Sequence, residues 1–314
     1  MNELELIQSL TAGLPSNEQT VLGAGDDCAV LDLGSPEQDH LFKTDAIVET
    51  IHFLESAEPE RIGHKALGRA MSDIAAMGGY PVSAVVTIGL PSPADTERAR
   101  AIYDGLSALA ARFHTSISGG ETVRSQEGLW ISVAMVGAVG KGQAIRRQGG
   151  APGDVLMVTG ELGGSLDGKH LDFTPRLAEA QWIAEHGFAR SMIDLSDGLA
   201  TDLRHLLQPD DLGCDLLKAS IPVSRAAKSR AREGRGDPAP VAALSDGEDY
   251  ELLFTAQASR AVEIVDAWKS RFPETRLTVI GRLSKEPGLR FHTEEGFRIL
   301  REHGYDHFRK SGED

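Results

Sequence analysis

Apolar residues recur at helical spacing over Glu3–Leu14, where Leu4, Leu6, Ile7 and Leu10 share one face. Cys28–Leu33 and His40–Val48 read as strands. Arg61–Met77 carries Ile62, Ala66, Ala70, Ile74 and Met77 at helical spacing, and Gly78, Gly79 and Pro81 end it. Ser83–Leu90 is a β-branched strand, and Asp95–Phe113 a helix introduced by Pro91 and Pro93. His114–Ser118 and Trp130–Val139 predict two more strands, separated by a polar turn over Gly119–Gly128.

The segment from Gly140 to Asp154 breaks this pattern, being rich in Gly and lacking core periodicity, and reads as a link between domains. Beyond it, Val155–Thr159 has the unbroken apolar character of a buried strand. Arg176–His186, Gly198–Leu207 and Arg260–Phe272 read as helices, and Tyr250–Thr255, Leu277–Ile280 and Leu289–His292 as strands. The end, Lys310–Asp314, is expected to fray. Alternating periods of two and 3.6 predict a mixed α+β or α/β protein with two domains, 1–142 and 143–314.

Composition narrows the function. Among 314 residues, 32 Lys and Arg stand against 47 Asp and Glu, a formal net charge of −15. That balance excludes nucleic acid as the main partner, which needs clustered cations. No apolar run is long enough for a membrane span, and the acidic start does not resemble a signal peptide, so the expectation is a cytoplasmic protein. Cys28 and Cys214 can form neither a disulfide framework nor a Cys-rich zinc site.

The common nucleotide signatures fail. Gly163–His170 matches a P-loop until His170, which stands where a magnesium-binding hydroxyl belongs, and Pro175 interrupts the helix that should follow. Gly23-Ala24-Gly25 begins a dinucleotide fingerprint that Cys28 does not complete. What remains are acids beside glycines or at strand ends: Gly25-Asp26-Asp27, Thr44-Asp45, Ser72-Asp73, Gly120-Glu121, Asp194-Leu195-Ser196-Asp197-Gly198 and Gly247-Glu248-Asp249. Each alone suits a turn or a helix cap. Together, hard oxygen donors with few soft ligands point to a magnesium–polyphosphate site. Asp73 is the most telling, because an unpaired carboxylate amid HKALGRAMSDIAAMGG is costly.

As an ordered set these motifs resemble the thiamine-monophosphate kinases, of the superfamily that includes aminoimidazole ribonucleotide synthetase and selenophosphate synthetase. The resemblance rests on GDDCAVL at Gly25–Leu31, Thr44-Asp45 with His52-Phe53, and SDIAAMG at Ser72–Gly78. It continues through Arg147 with Pro152-Gly153-Asp154, Val158-Thr159-Gly160, IDLSDGL at Ile193–Leu199, GEDYEL at Gly247–Leu252 and GYDHF at Gly304–Phe308. It implies an aminoimidazole ribonucleotide synthetase-like, two-domain homodimer with its N-terminal sheets packed together. It also implies transfer of the γ-phosphoryl group of ATP to thiamine monophosphate, with several magnesium ions. By motif, Asp27, Thr44, Asp45, Asp73, Glu121, Asp194 and Asp197 would bind metal. Tyr103, Gly120, Glu121, Arg147 and Ser196 would contact ATP, and His52, Glu248 and Tyr305 the thiamine part. Asp45, Asp73, Asp197 and Arg147 would carry catalysis, by alignment and charge neutralisation rather than through a covalent intermediate.

Four positions depart from the family pattern. Lys43 stands for a usual Ser ligand, Glu121 for Asp, Ala70 for Asn and Asp246 for Gly. A cation at position 43 can replace one magnesium ion or contact phosphate directly. These departures keep open a sister ATP-dependent enzyme with another acceptor, or a non-catalytic nucleotide-binding homologue.

Overall fold

A computed structural model describes residues 3–293, 296–300 and 304–305. Helix α1 (Glu3–Thr11) precedes strands β1 (Thr20–Leu22), β2 (Ala29–Leu31) and β3 (Gln38–Val48). Then follow α2 (Pro59–Ala76), β4 (Tyr80–Leu90), α3 (Thr96–Arg112), β5 (Ser116–Arg124) and β6 (Trp130–Gly140). The second half contains β7 (Val155–Thr159), α4 (Lys169–Asp172), α5 (Leu177–Glu185), β8 (Ser191–Asp194), α6 (Leu199–Leu207) and β9 (Gly213–Leu217). It ends with α7 (Arg225–Arg232), α8 (Ala239–Ser245), β10 (Leu252–Ala256), α9 (Ala261–Arg271), β11 (Leu277–Ser284), β12 (Gly288–Thr293) and β13 (Gly296–Ile299). The expected fraying tail and the last three residues of the GYDHF motif lie outside the described residues.

Among the described residues the strands form two mixed sheets, ordered β1-β2-β3-β6-β4-β5 and β13-β12-β9-β11-β7-β10-β8. The chain changes sheets between Gly140 and Val155, across the glycine-rich segment. The mixed α/β class therefore stands as expected. In the first sheet β4 and β5 run parallel and the other pairs antiparallel; in the second only β9 and β12 are parallel.

One face of the first sheet packs on α2 and α3. Leu41, Ile47, Ala84, Val86, Ile88, Ile131 and Val133 point inward with Ile62, Leu67, Met71 and Ile102. The same core continues through Leu177 and Ile183 of α5 to Met157, Met192 and Phe254 of the second sheet. Alternate residues Leu156, Val158, Ile193 and Leu253 face a second core with Leu199 and Leu203 of α6. Both faces of β7 are thus covered, which explains its unbroken apolar run. α2 is buried along most of its length, so any polar residue on it needs a partner.

Two sequence expectations change. The polar stretch after Ser118 is strand as far as Arg124, not turn, because β5 is an edge strand held by its ladder to β4 and largely exposed. His114 has φ 53° and so cannot open that strand, which starts at Ser116. The pattern also misses β8, β9, α7 and α8. α7, RAAKSRAR, buries only Ala227 and has little apolar face to detect.

Candidate active site

The carboxylates of Asp27, Asp73 and Asp194 converge from the segment before β2, the last turn of α2 and the end of β8. One oxygen of each lies within 4.8 Å of the others, and all three residues are buried. Ser72 Oγ donates to Asp194 Oδ2 at 2.6 Å. Arg147 Nε donates to Asp27 Oδ1 at 3.2 Å, and the Arg147 backbone N–H to Asp26. Asp27 Oδ2 is buried without a hydrogen-bond partner. Burial, with Asp27 close by, pushes Asp194 up to about 6, and burial with Asp27 does the same to Asp26. Asp73 is pushed up by burial against the opposing pull of Lys43. Hard oxygen donors that resist ionising together, with one orphaned buried oxygen, fit a divalent cation such as magnesium.

Lys43 enters this cluster from β3. Its Nζ lies 2.8 Å from Asp73 Oδ1, and the Asp73 and Asp45 charges outweigh burial and hold the ammonium above the usual lysine range. Asp45, two residues on and on the same face, is clamped by Arg69: Nε to Oδ2 at 2.8 Å and Nη2 to Oδ1 at 3.0 Å. Asp45 is thus not one of the three converging acids. Thr44 projects from the opposite face of β3, its hydroxyl 3.5 Å from Ser132 Oγ.

A second knot lies farther along α2. Lys65, fully buried, places Nζ 2.6 Å from Glu248 Oε2 and 2.8 Å from His170 Nδ1, and donates to the His52 carbonyl at 2.5 Å. Arg69 Nη1 lies 3.5 Å from Glu248 Oε1. Burial opposes charge on Glu248, but His170 and Lys65 hold it down to about 2. Burial lowers Lys65 itself to about 8. Glu248 sits on a turn with φ 55°, between Gly247 at 73° and Tyr250 at 51°. Left-handed backbone at two bulky residues costs roughly 1 kcal/mol or more each. The turn is pinned by Glu248 N–H to the Ser196 carbonyl at 2.6 Å and Tyr250 N–H to the Leu195 carbonyl at 2.8 Å. The Tyr250 ring stacks on Phe173 at 3.9 Å.

His52 accepts from the Val48 N–H at Nδ1, 3.0 Å, so its proton sits on Nε2. It lines a cavity of about 450 Å³ with Ile51, Phe53, Leu54, Leu166 and His170. A second concavity, about 460 Å³, is lined by Tyr103 and Ser107 of α3 and by Gly119, Gly120 and Glu121 of β5. Gly120 is obligatory there: at φ 156°, an added Cβ would lie 1.8 Å from the Val86 carbonyl oxygen. Asp197 N–H donates to Asp202 Oδ2 at 3.0 Å, and Tyr305 N–H to the Asp197 carbonyl at 2.9 Å, bringing Tyr305 beside the Asp194–Gly198 turn.

The P-loop-like stretch is committed elsewhere. The Gly163 N–H donates to Asp249 and the Gly164 N–H to Asp246, while Lys169 Nζ meets Glu251 Oε1 at 2.9 Å. Asp246, an outlier in the sequence, caps that turn and pairs with Arg230. Sequence reasoning missed Lys65 and Arg69. Both lie on the polar stripe Lys65, Arg69, Ser72, Asp73 of α2, whose four-and-three spacing was the available signal.

The family profile described as AIR synthase related protein, N-terminal domain, matches residues 25–139. Thiamine-monophosphate kinase of Rhodopirellula baltica is 36% identical over 287 residues, covering 89% of each chain. The chain belongs to the thiamine-monophosphate kinase family. The Escherichia coli K12 thiamine-monophosphate kinase is 34% identical, covering 91% of this chain and 92% of its own. The structure of AaThiL complexed with AMPPCP and TMP superposes with a TM-score of 0.83 at 29% identity, covering 98% of this chain and 97% of that one. E. coli HypE, a hydrogenase maturation protein, shares the fold at TM-score 0.72 and 21% identity. The thiamine-monophosphate kinase assignment thus spans both sheets, beyond the N-terminal profile.

Proposed function

We propose that the protein transfers the γ-phosphoryl group of ATP to the phosphate of thiamine monophosphate, giving thiamine diphosphate and ADP. The observation that carries this reading is the convergence of Asp27, Asp73 and Asp194 from three separate segments, with Arg147 and Lys43 beside them. These three acids would hold magnesium, with Asp45, Glu121, Asp197 and the backbone of Thr44, whose hydroxyl faces the other way, as further proposed ligands. Bound magnesium supplies charge neutralisation at the phosphate oxygens. Ser196 and the concavity of Tyr103, Gly120 and Glu121 are proposed to take the nucleotide. Gly120 shares a cross-sheet row with Asp45 through Val86 and Val133. Three strand spacings make about 14 Å, a span suited to an extended nucleoside triphosphate.

The acceptor phosphate is an anion at neutral pH, so in-line attack needs no strong general base. The chain's own contribution is orientation: Arg147 and Lys43 balance phosphate charge, and the Lys65–Glu248 knot fixes the wall of the His52 cavity. The apolar lining of that cavity and the His52 ring suit a pyrimidine–thiazolium ligand, with Tyr305 as a further proposed contact.

The reading includes a homodimer. Phe42, Tyr80, Val82 and Val85 are exposed on the open face of the first sheet, as a second copy's sheet would require. It also assigns ATP and magnesium binding and dimerisation to residues 1–142, and closure over the substrates to 143–314. No helix among the described residues is long and apolar enough to cross a membrane, and the proposed site of action is the cytoplasm.

The test is incubation with magnesium-ATP and thiamine monophosphate, followed by chromatography. Thiamine diphosphate and ADP in equal amounts, absent without magnesium, are expected. ATP turnover without thiamine diphosphate would transfer the reading to another acceptor. Nucleotide binding with no turnover would leave a binding protein.

A further inference from the structure

Lys43 is placed to act as a permanent cation inside the carboxylate cluster. It leaves β3 on the face that meets α2, alternating with Leu41 and Asp45. Its ammonium takes Asp73 Oδ1 at 2.8 Å, the residue that also belongs to the Asp27–Asp194 group. The surrounding charges are Asp26, Asp27, Asp45, Asp73 and Asp194 against Lys43, Arg69 and Arg147. The two arginines are occupied, Arg69 by Asp45 and Arg147 by Asp27. Lys43 is the cation that reaches Asp73. Asp27 Oδ2, on a member of the same group, is buried without a hydrogen-bond partner, an oxygen that a divalent ion can claim.

We propose that the Lys43 ammonium occupies one cation position of this cluster, so that the protein binds one divalent ion fewer than it would with a small neutral side chain at residue 43. The proposal deepens the magnesium-site reading above and rests on it. An ammonium and a divalent ion sharing the same carboxylate oxygen repel, and a tethered charge cannot diffuse away. The lysine therefore excludes an ion from Asp73 Oδ1 while leaving the Asp27–Asp194 side available. It also neutralises part of the cluster in the apo protein.

The experiment counts ions without turnover. Manganese is titrated into wild type, Lys43→Ser and Lys43→Arg, each saturated with a non-hydrolysable ATP analogue, and bound ions are counted by electron paramagnetic resonance. Lys43→Ser should bind one more manganese per chain than wild type, and Lys43→Arg the same number as wild type. Equal counts in wild type and Lys43→Ser overturn the proposal. Should Lys43→Ser fail to fold, wild-type crystals soaked in manganese decide the matter by anomalous scattering. Lys43 still bonded to Asp73 Oδ1, with manganese on Asp27 and Asp194, is expected. Manganese on Asp73 Oδ1 with Lys43 displaced refutes it. A failure of thiamine diphosphate formation would sink the acceptor assignment and leave the ion count standing.

Discussion

Lys65 Nζ lies 2.6 Å from Glu248 Oε2, tying the middle of α2 to the left-handed turn before β10. The same ammonium holds the His52 carbonyl and meets His170 Nδ1, so one buried charge ties together two residues that line the 450 Å³ cavity. Lys65→Met leaves Glu248 with Arg69, His170 and the Tyr250 hydroxyl. Stability should fall by about 3 kcal/mol, as when one partner of a buried pair is removed. KM for thiamine monophosphate should rise roughly tenfold or more with a smaller change in kcat, because ground-state positioning is lost. Lys65→Arg should recover part of the KM. An unchanged KM in Lys65→Met would remove Lys65 from the substrate wall. Denaturant melts and steady-state kinetics measure both.

Asp194→Asn separates metal binding from folding. Burial already resists ionisation of Asp194, so the amide should leave the melting temperature in chelator unchanged or raised. Turnover should drop by at least about a hundredfold, and added magnesium should no longer raise the melting temperature. A variant that melts early in chelator would mean a structural role instead.

Glu251, like Glu248, contributes to the acid limb of stability. Burial opposes its ionisation, but Lys169 and Arg176 outweigh it and hold its carboxyl down to about 2, from an ordinary 4.5. Its folded pKa is depressed, so its contribution is complete above about pH 4.5 and is lost as pH falls toward 2. The shift is worth about 3 kcal/mol. Glu251→Gln should be destabilised at pH 7 and show a flatter decline between pH 4.5 and 2, read by urea unfolding at each pH.

Gly120→Ala should cost about 2–3 kcal/mol, since its Cβ would meet the Val86 carbonyl oxygen at 1.8 Å. Nucleotide affinity should fall with it, because the β5 edge must shift. Calorimetric titration with an ATP analogue checks this. Wild-type affinity would remove the Tyr103–Gly120 concavity from the nucleotide site.

Val85→Lys puts a charge on the open face of the first sheet, where Val85 is exposed. A homodimer joined through that face should dissociate, and light scattering on a sizing column should report a monomer near 34 kDa against the chain mass of 33.7 kDa. A dimer that survives the substitution would place the interface elsewhere.

Periodicity and motif are enough to find the helix of Asp73, the β7 run and the acids beside glycines. Burial leaves a local imprint on residue order, and turn acids need local partners. Asp27, Asp73 and Asp194 stood out for that reason, and the structure brings them together. β5 was cut short because an exposed edge strand keeps its ladder without an apolar alternation. The face of Thr44, the clamp of Arg69 on Asp45 and the use of Gly163 and Gly164 as carboxylate donors depend on which elements stack. Lys65 meets Glu248 across 183 residues, and Lys43 meets Asp73 across 30. Ion pairs of that separation leave no periodic trace. Residue order alone marks the long helices, most of the strands and the chemistry on offer; the packing of α2 between two sheets decides which charges face one another, because buried charge must find its partner in space.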